Sequence, residues 1–349
     1  MEEIIANKVE LHRFATEILQ ASGADKDEAA VVADVLVWCD LVGRDNQGVW
    51  RLPILTKRIE KGLVNTPCNY TVESTATSAA IVDGNRGMGH YVAHCAMEEA
   101  IKIARQAGIA FVGVKDSNFF GAGAYYIQQA AAAGMIGIAA SNSYPKVAAY
   151  NGVSSVLGTN PFAFSAPRQN GHSILLDMAT SASAGSTIRK CIENCAELPD
   201  GIAVDSEGAY IKDPTQVEKG TILPFGGAKG YGLSLMVEIL SGVITGAGYS
   251  HGVKSMYKNF EESGNNGHFF IAIDIEKLIP IQDYYLRIES FIALLRASGP
   301  AGTTKSVMLP GEFRWEQYEQ NLLKGVKINR ATTEALKELS GRYKVALPM

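Results

Sequence analysis

The amino-acid sequence predicts a mixed α/β protein. Two observations carry this reading. Between residues 78 and 275, short apolar runs of strand length alternate with amphipathic segments of helix length, and glycines stand at many of the joints. Hydrophobic residues are 47% and charged residues 19% of the 349, ordinary globular usage that excludes disordered, collagen-like and coiled-coil chains.

The first 65 residues read as helices. Asp25 followed by Glu28 resembles a capping box, with Val32, Leu36 and Cys39 recurring at helical spacing; a second helix is expected from Leu52 to Lys61, ending at Gly62. AAIVD (79–83) then reads as a strand, GNRGMG as a glycine turn, and Tyr91 to Ala107 as a helix stopped by Gly108. Further strands are expected in IAFVGV (109–114), IGIAA (136–140), FAFSAP (162–167), SILLDM (173–178) and HFFIAIDI (268–275). Helices are expected near 121–133, from Lys229 to about Thr245, and at 284–297, 315–325 and 332–341; PDGIAVDSEGAYIKDP (199–214) reads as a surface hairpin. Three segments follow: a helical N-terminal part (1–74), an α/β cofactor- and substrate-binding core (75–300), and a C-terminal part (301–349) expected to pack back on the N-terminal helices.

The formal charge of −4 argues against nucleic acid as a partner, since a nucleic-acid binder presents a basic footprint. The acidic, amphipathic N-terminus has no apolar signal region, and the most apolar stretch, 231–248, carries Glu238 and several glycines, so no membrane span is expected. Five cysteines with no C-x-x-C pair suit a reducing cytoplasm and no metal centre.

Single motifs leave alternatives open. The loop after 79–83 is spaced G-x-x-G-x-G and lacks the acid that should follow about 20 residues on, so it reads as a tight turn rather than a dinucleotide fingerprint. FGGAKGYG places Lys229 and bare amides at a helix start, which suits either a cofactor phosphate or close helix packing. Asp177, at a strand end, suits a hydrogen bond to ribose or nicotinamide, or a cap on the following helix. Arg51, after a glycine turn, offers a guanidinium fork for a carboxylate.

GRDNQGVWRLP, DGNRGMG, GAGAYY, LGTNPFAFSAP, LLDMATS, GGAKGYGLSLMVEILSG, GHFFIAID and LPGE, in this order, resemble the type-2 malate/L-lactate dehydrogenase family, which includes ureidoglycolate and sulfolactate dehydrogenases, diketogulonate reductases and piperideine-2-carboxylate reductases. The resemblance spans nearly the whole chain. It implies a non-Rossmann α/β NAD(P)-binding fold, a homodimer with the active site near the subunit contact, and hydride transfer with NADH or NADPH. By matched motif it implies cofactor contacts from Ser143, Asp177, Met178, Ala179, Lys229, Gly311 and Glu312, and a substrate carboxylate held by Arg51.

The departures matter. Where the family usually reads S-H-G-V-x-R, this chain has Asn46-Gln47-Gly48-Val49-Trp50-Arg51, and where it often reads S-N-H-F-G, this chain has Ser117-Asn118-Phe119-Phe120-Gly121. Both usual imidazoles are therefore missing. A ketone reduced to an alkoxide needs a proton, which Gln47 cannot supply, whereas an iminium substrate already carries its own. This points to a C=N reductase with Arg51 on the carboxylate, Gln47 on the nitrogen and Phe119 keeping water out. The alternatives are a 2-oxo acid/2-hydroxy acid dehydrogenase using Asp45, Lys229 or a water as donor, and a catalytically silent nicotinamide-binding relative. The family's basic R-G-K is replaced by Gly185-Ser186-Thr187, which leans to NADH, while Arg189 and Lys190 nearby leave NADPH open.

Overall fold

The computed structural model describes residues 4–183, 185–299 and 306–348, apart from the side chains at 185, 186 and 189. The chain runs β1 (Ile4–Ala6), α1 (Lys8–Ala21), α2 (Lys26–Leu41), two short 3-10 turns at 45–47 and 49–51, and α3 (Leu52–Glu60). Then follow β2 (Thr71–Ala76), β3 (Ala79–Asp83), α4 (Gly89–Ala107), β4 (Ile109–Ser117), α5 (Gly123–Ala132), β5 (Met135–Ser141), β6 (Val147–Ala148), β7 (Ser155–Leu157), β8 (Phe162–Ala166) and β9 (Ile174–Met178). The remainder is α6 (Gly185–Glu193), β10 (Ala203–Val204), β11 (Thr221–Ile222), α7 (Ala228–Glu238), β12 (Asn266–Asp274), α8 (Ile281–Ala297), α9 (Glu312–Lys324), β13 (Val326–Ile328) and α10 (Arg330–Tyr343).

A seven-stranded sheet in the order β2-β3-β4-β12-β5-β8-β9 forms the centre. Only β3 and β4, joined through α4, are parallel; every other neighbouring pair in this sheet is antiparallel. A doubly wound dinucleotide fold needs a mostly parallel sheet, so this is a different architecture. The late strand β12 inserts between β4 and β5, which covers both its edges. Its neighbours in sequence, Phe269 and Phe270, face opposite sides: Phe270 packs with α4 and α5 residues such as Val92, Ala96 and Tyr126, and Phe269 with Val237 of α7. Burial on both faces explains the unbroken apolar run HFFIAI.

Strand β2 was not anticipated, because all six residues are exposed at the sheet edge and carry no apolar alternation. The expected surface hairpin at 199–214 instead contributes β10, with Ala203 and Val204 buried, to a small sheet ordered β10-β11-β6-β7. The helix expected to Thr245 is α-helical only to Glu238 and continues as a π turn over Ile239–Val243.

Helix α2 is apolar nearly all round because it lies between two cores. Val35 and Cys39 join the core under α4 and α5, while Val32, Ala33 and Leu36 join a second core made by α1, α3 and α10. Asp25 caps α2, its carboxylate accepting from the amides of Asp27 and Glu28. At the chain ends β1 pairs antiparallel with β13. Among the described residues, no helix is long and apolar enough to cross a membrane.

Candidate active site

Three expected site residues converge. The guanidinium of Arg51, 9% exposed, lies over the ring of Phe119 with Cζ 5.0 Å from its centroid. Its Nη2 donates to Gln47 Oε1 at 3.4 Å, and its Nη1 donates to the hydroxyl of Tyr257. Gln47 and Tyr257 therefore flank the fork that a carboxylate would enter. Tyr257 was not found from the sequence, since it sits in an irregular loop nearly 140 residues beyond Phe119 and nothing local marks it.

Local structure explains the placement. Arg51 ends the second 3-10 turn and Pro53 opens α3, whose first turn needs no amide from proline. Beneath the turn, Asp40 of α2 is buried and its Oδ2 accepts the amide of Val49 at 2.8 Å. A Cβ on Gly48 would overlap the Asp40 carboxyl, so glycine is what lets the turn settle there. Burial pushes the Asp40 carboxyl well above the usual carboxylate range.

Phe119 is seated by the DGNRGMG loop, which turns tightly with the amide of Gly87 donating to the carbonyl of Gly84 at 2.7 Å. Asn118 Nδ2 donates to the carbonyls of Arg86 and Gly87 at 3.0 and 2.9 Å, and Asn118 Oδ1 accepts the amide of Gly264 at 2.9 Å. A side chain at Gly89 would collide with the carbonyls of Asn118 and Phe119.

The seven expected cofactor residues fall into two neighbouring groups. Ser143 Oγ accepts the amide of Thr159 at 2.9 Å, Thr159 accepts the amide of Thr180 at 2.9 Å, and Thr180 accepts the amide of Phe225 at 3.1 Å. This chain of contacts joins Ser143, the loop after Met178 and Ala179, and the glycine loop leading to Lys229. Lys229 is exposed in the first turn of α7, behind Gly226 and Gly227 at φ 55° and 64°, and makes no ion pair among the described residues. Of the first-turn amides, that of Gly230 donates to the Phe225 carbonyl at 3.0 Å, and those of Ala228 and Lys229, with the exposed ammonium beside them, fit a dinucleotide phosphate.

In the second group, Asp177 and Gly311 line a cleft of about 340 Å³ together with Trp38, Arg44 and Arg314, and Glu312 follows Gly311 in the chain without lining it. Asp177 does not cap the following helix; its Oδ2 accepts the amide of Ala124 at 3.0 Å, at the start of the earlier helix α5, and pairs with Arg44 Nη1 at 3.1 Å. Gly311 takes φ 92° and lies against Leu175, where a Cβ would not fit. The Glu312 carboxylate is held by Arg296 and by the amide of Leu309. Asp177 thus lies in the cleft wall with Oδ2 engaged, while both oxygens of Glu312 are taken up in holding the segment that carries Gly311. The first group meets the Arg51 cluster through Tyr144, next to Ser143, whose ring lies 6.4 Å from that of Tyr257.

A model of the malate/L-lactate dehydrogenase family matches residues 7–337. The chain belongs to that family. It is accordingly an NAD(P)-dependent oxidoreductase. The L-sulfolactate dehydrogenase of Methanothermobacter thermautotrophicus is 35% identical over 93% of either chain. The crystal structure of malate dehydrogenase from Entamoeba histolytica superposes with a TM-score of 0.94 at 29% identity, covering both chains fully. The Δ1-piperideine-2-carboxylate reductase of Pseudomonas syringae pv. tomato gives 0.87 at 28% identity over 96% of this chain and 99% of its own. These findings support the 2-hydroxy acid alternative better than the C=N reading: the relatives include malate, sulfolactate and ureidoglycolate dehydrogenases, and the imine reading has one distant structural neighbour.

Two imidazoles pack near this cluster. His268 is buried in the sheet between Ser141 Oγ at 2.8 Å and Ser117 Oγ at 2.9 Å, and stacks on Phe120. His90 is fully buried edge-on to Phe119, with neither ring nitrogen hydrogen-bonded among the described residues. Burial brings both histidines down to about 3, so both are neutral at pH 7. Asp45, one suggested proton donor, is exposed and accepts from Asn329 Nδ2 at 3.4 Å. The motif at 185–187 and Arg189, which bear on NADH against NADPH, have side chains outside the described ones except at Thr187.

Proposed function

We propose that this chain is a 2-hydroxy acid dehydrogenase, interconverting a small 2-oxo acid and its 2-hydroxy acid, with NADH favoured over NADPH. The observation that carries the reading is the buried Arg51 fork over Phe119, flanked by Gln47 and Tyr257. A guanidinium in that setting takes a carboxylate bidentately, and the aromatic ring beneath it lowers the cost of holding the charge out of water. When bound, the reduced nicotinamide supplies hydride to the carbon beside the carboxylate. Arg51 orients that carbon, Gln47 hydrogen-bonds an oxygen on it, and Phe119 keeps water from one side.

Ser143, Met178, Ala179 and Lys229 would hold the dinucleotide, with Lys229 and the α7 amides on the pyrophosphate. Asp177 and Gly311 would line its cleft, with Glu312 holding the segment that carries Gly311. We further propose a homodimer with the site near the subunit contact. Leu235, Ile239 and Val243, spaced by four on α7 and its π turn, are 40, 41 and 55% exposed, a stripe suited to a second copy. All five cysteines are free, which suits a cytoplasmic setting.

The test is oxidation of NADH and NADPH at 340 nm with oxaloacetate, sulfopyruvate, pyruvate and, separately, cyclic imino acids. Turnover of 2-oxo acids above imino acids supports the proposal. Faster turnover of imino acids would return the C=N reading, and tight NADH binding with no turnover of any compound would mark a silent relative.

A further inference from the structure

The reduction proposed above leaves the proton donor unassigned, and this inference rests on that reading. Asp40, buried beneath the turn, has Oδ2 on the amide of Val49. His268 has both nitrogens engaged by serine hydroxyls, and His90 is fully buried against the edge of the Phe119 ring. Asp45 is turned to Asn329. Glu238 is buried, with its oxygens accepting from Asn160 Nδ2 at 2.6 Å and the amide of Ser250 at 2.7 Å. Lys229 stands at the head of α7, within the other group of residues.

Tyr257 is different. Its hydroxyl receives a hydrogen from Arg51 Nη1, its ring centroid is 5.6 Å from Arg51 Cζ, and Tyr144 braces the ring at 6.4 Å. Because the guanidinium donates to the phenol oxygen, the phenolic hydrogen is left for another acceptor. A carboxylate on the Arg51 fork lies between Tyr257 and Gln47, and the 2-oxo oxygen, on the adjacent carbon, comes within reach of one of them. Gln47 can donate a hydrogen bond but not a proton. Tyr257 can donate both.

We infer that Tyr257 is the catalytic acid of the reduction, and the base of the reverse oxidation, in place of the imidazoles absent at positions 47 and 119. As the new C–H bond forms, the C=O π pair moves onto oxygen. That oxygen takes the phenolic hydrogen, the Tyr257 O–H bond breaks, and the phenolate is left beside the Arg51 guanidinium. The ring is 43% exposed, so solvent returns the proton.

The experiment uses the full chain with NADH and whichever 2-oxo acid the wild type reduces fastest. Tyr257→Phe is expected to lower kcat by about 100-fold or more, the usual worth of a positioned acid, with KM changed by less than about threefold. NADH affinity, read by fluorescence titration, should be unchanged. Tyr257→His should recover part of kcat with its pH–rate profile moved to lower pH. A Tyr257→Phe kcat within about threefold of wild type, or an effect confined to KM, overturns the inference while the 2-oxo acid reading stands. A wild type inert towards every 2-oxo acid overturns both.

Discussion

Phe119 lies directly beneath the Arg51 guanidinium, 5.0 Å from Cζ to ring centroid, while His90 meets the same ring edge-on at 5.6 Å. The ring forms an apolar floor beneath the guanidinium, and the His90 imidazole lies against the edge of that floor.

Removing the ring should weaken substrate binding more than chemistry. For Phe119→Leu we expect a loss of about 0.5–2 kcal/mol of cation–π attraction, a rise of roughly 2- to 30-fold in KM for the carboxylate substrate, with kcat less affected. Steady-state kinetics check this; an unchanged KM would mean the stacking does not support the fork.

Arg51→Lys keeps the charge and loses the fork. A point ammonium cannot make the paired contacts, so kcat/KM should fall by about 2–4 kcal/mol, roughly 30- to 1000-fold. The same substitution should leave NADH affinity within a factor of about three, because Arg51 belongs to the carboxylate side of the site. Full activity in Arg51→Lys would refute the assignment of the fork.

Gly48→Ala places a methyl on the Asp40 carboxyl. The turn holding Gln47 and Arg51 must shift, and overpacking of this kind costs about 1–3 kcal/mol. Thermal unfolding should show a lowered Tm together with a higher KM. A variant as stable and active as wild type would show that Asp40 and the turn are not coupled.

The two buried histidines set an acid limb of stability. His90 and His268 titrate near 3 when folded, against an ordinary value of about 6.5 in the unfolded chain. Between those values the unfolded chain binds protons that the folded chain does not, so stability rises with pH across the window and is lost as pH falls through it, by up to about 1.4 kcal/mol per pH unit for each group. His90→Leu removes one titrating group and two unpaired nitrogens. Denaturant unfolding at pH 4 to 7 should show a flatter slope than wild type, and an equal slope would contradict the burial argument.

Much of the fold was legible along the chain. The runs at 79–83, 109–114, 136–140 and 268–275 became strands of one sheet because both faces of their sheet are covered and an apolar run of that length has few other homes. Helix ends at Asp25, Gly62 and Gly108 were readable because capping and positive φ are local requirements. The polar edge strand β2 was not, since exposure removes the pattern that would announce it.

The sequence by itself determined most of the apolar elements, the family and the grouping of Gln47, Arg51 and Phe119 in name, because those depend on short-range pattern and motif order. Only the tertiary structure decided which oxygens were already taken and which groups faced the fork. Asp177 turned out to cap α5 and hold Arg44, and Tyr257 came to the guanidinium from a distant loop. Such pairings depend on how separate elements pack in space, and no local spacing rule encodes a contact between residues about 200 positions apart.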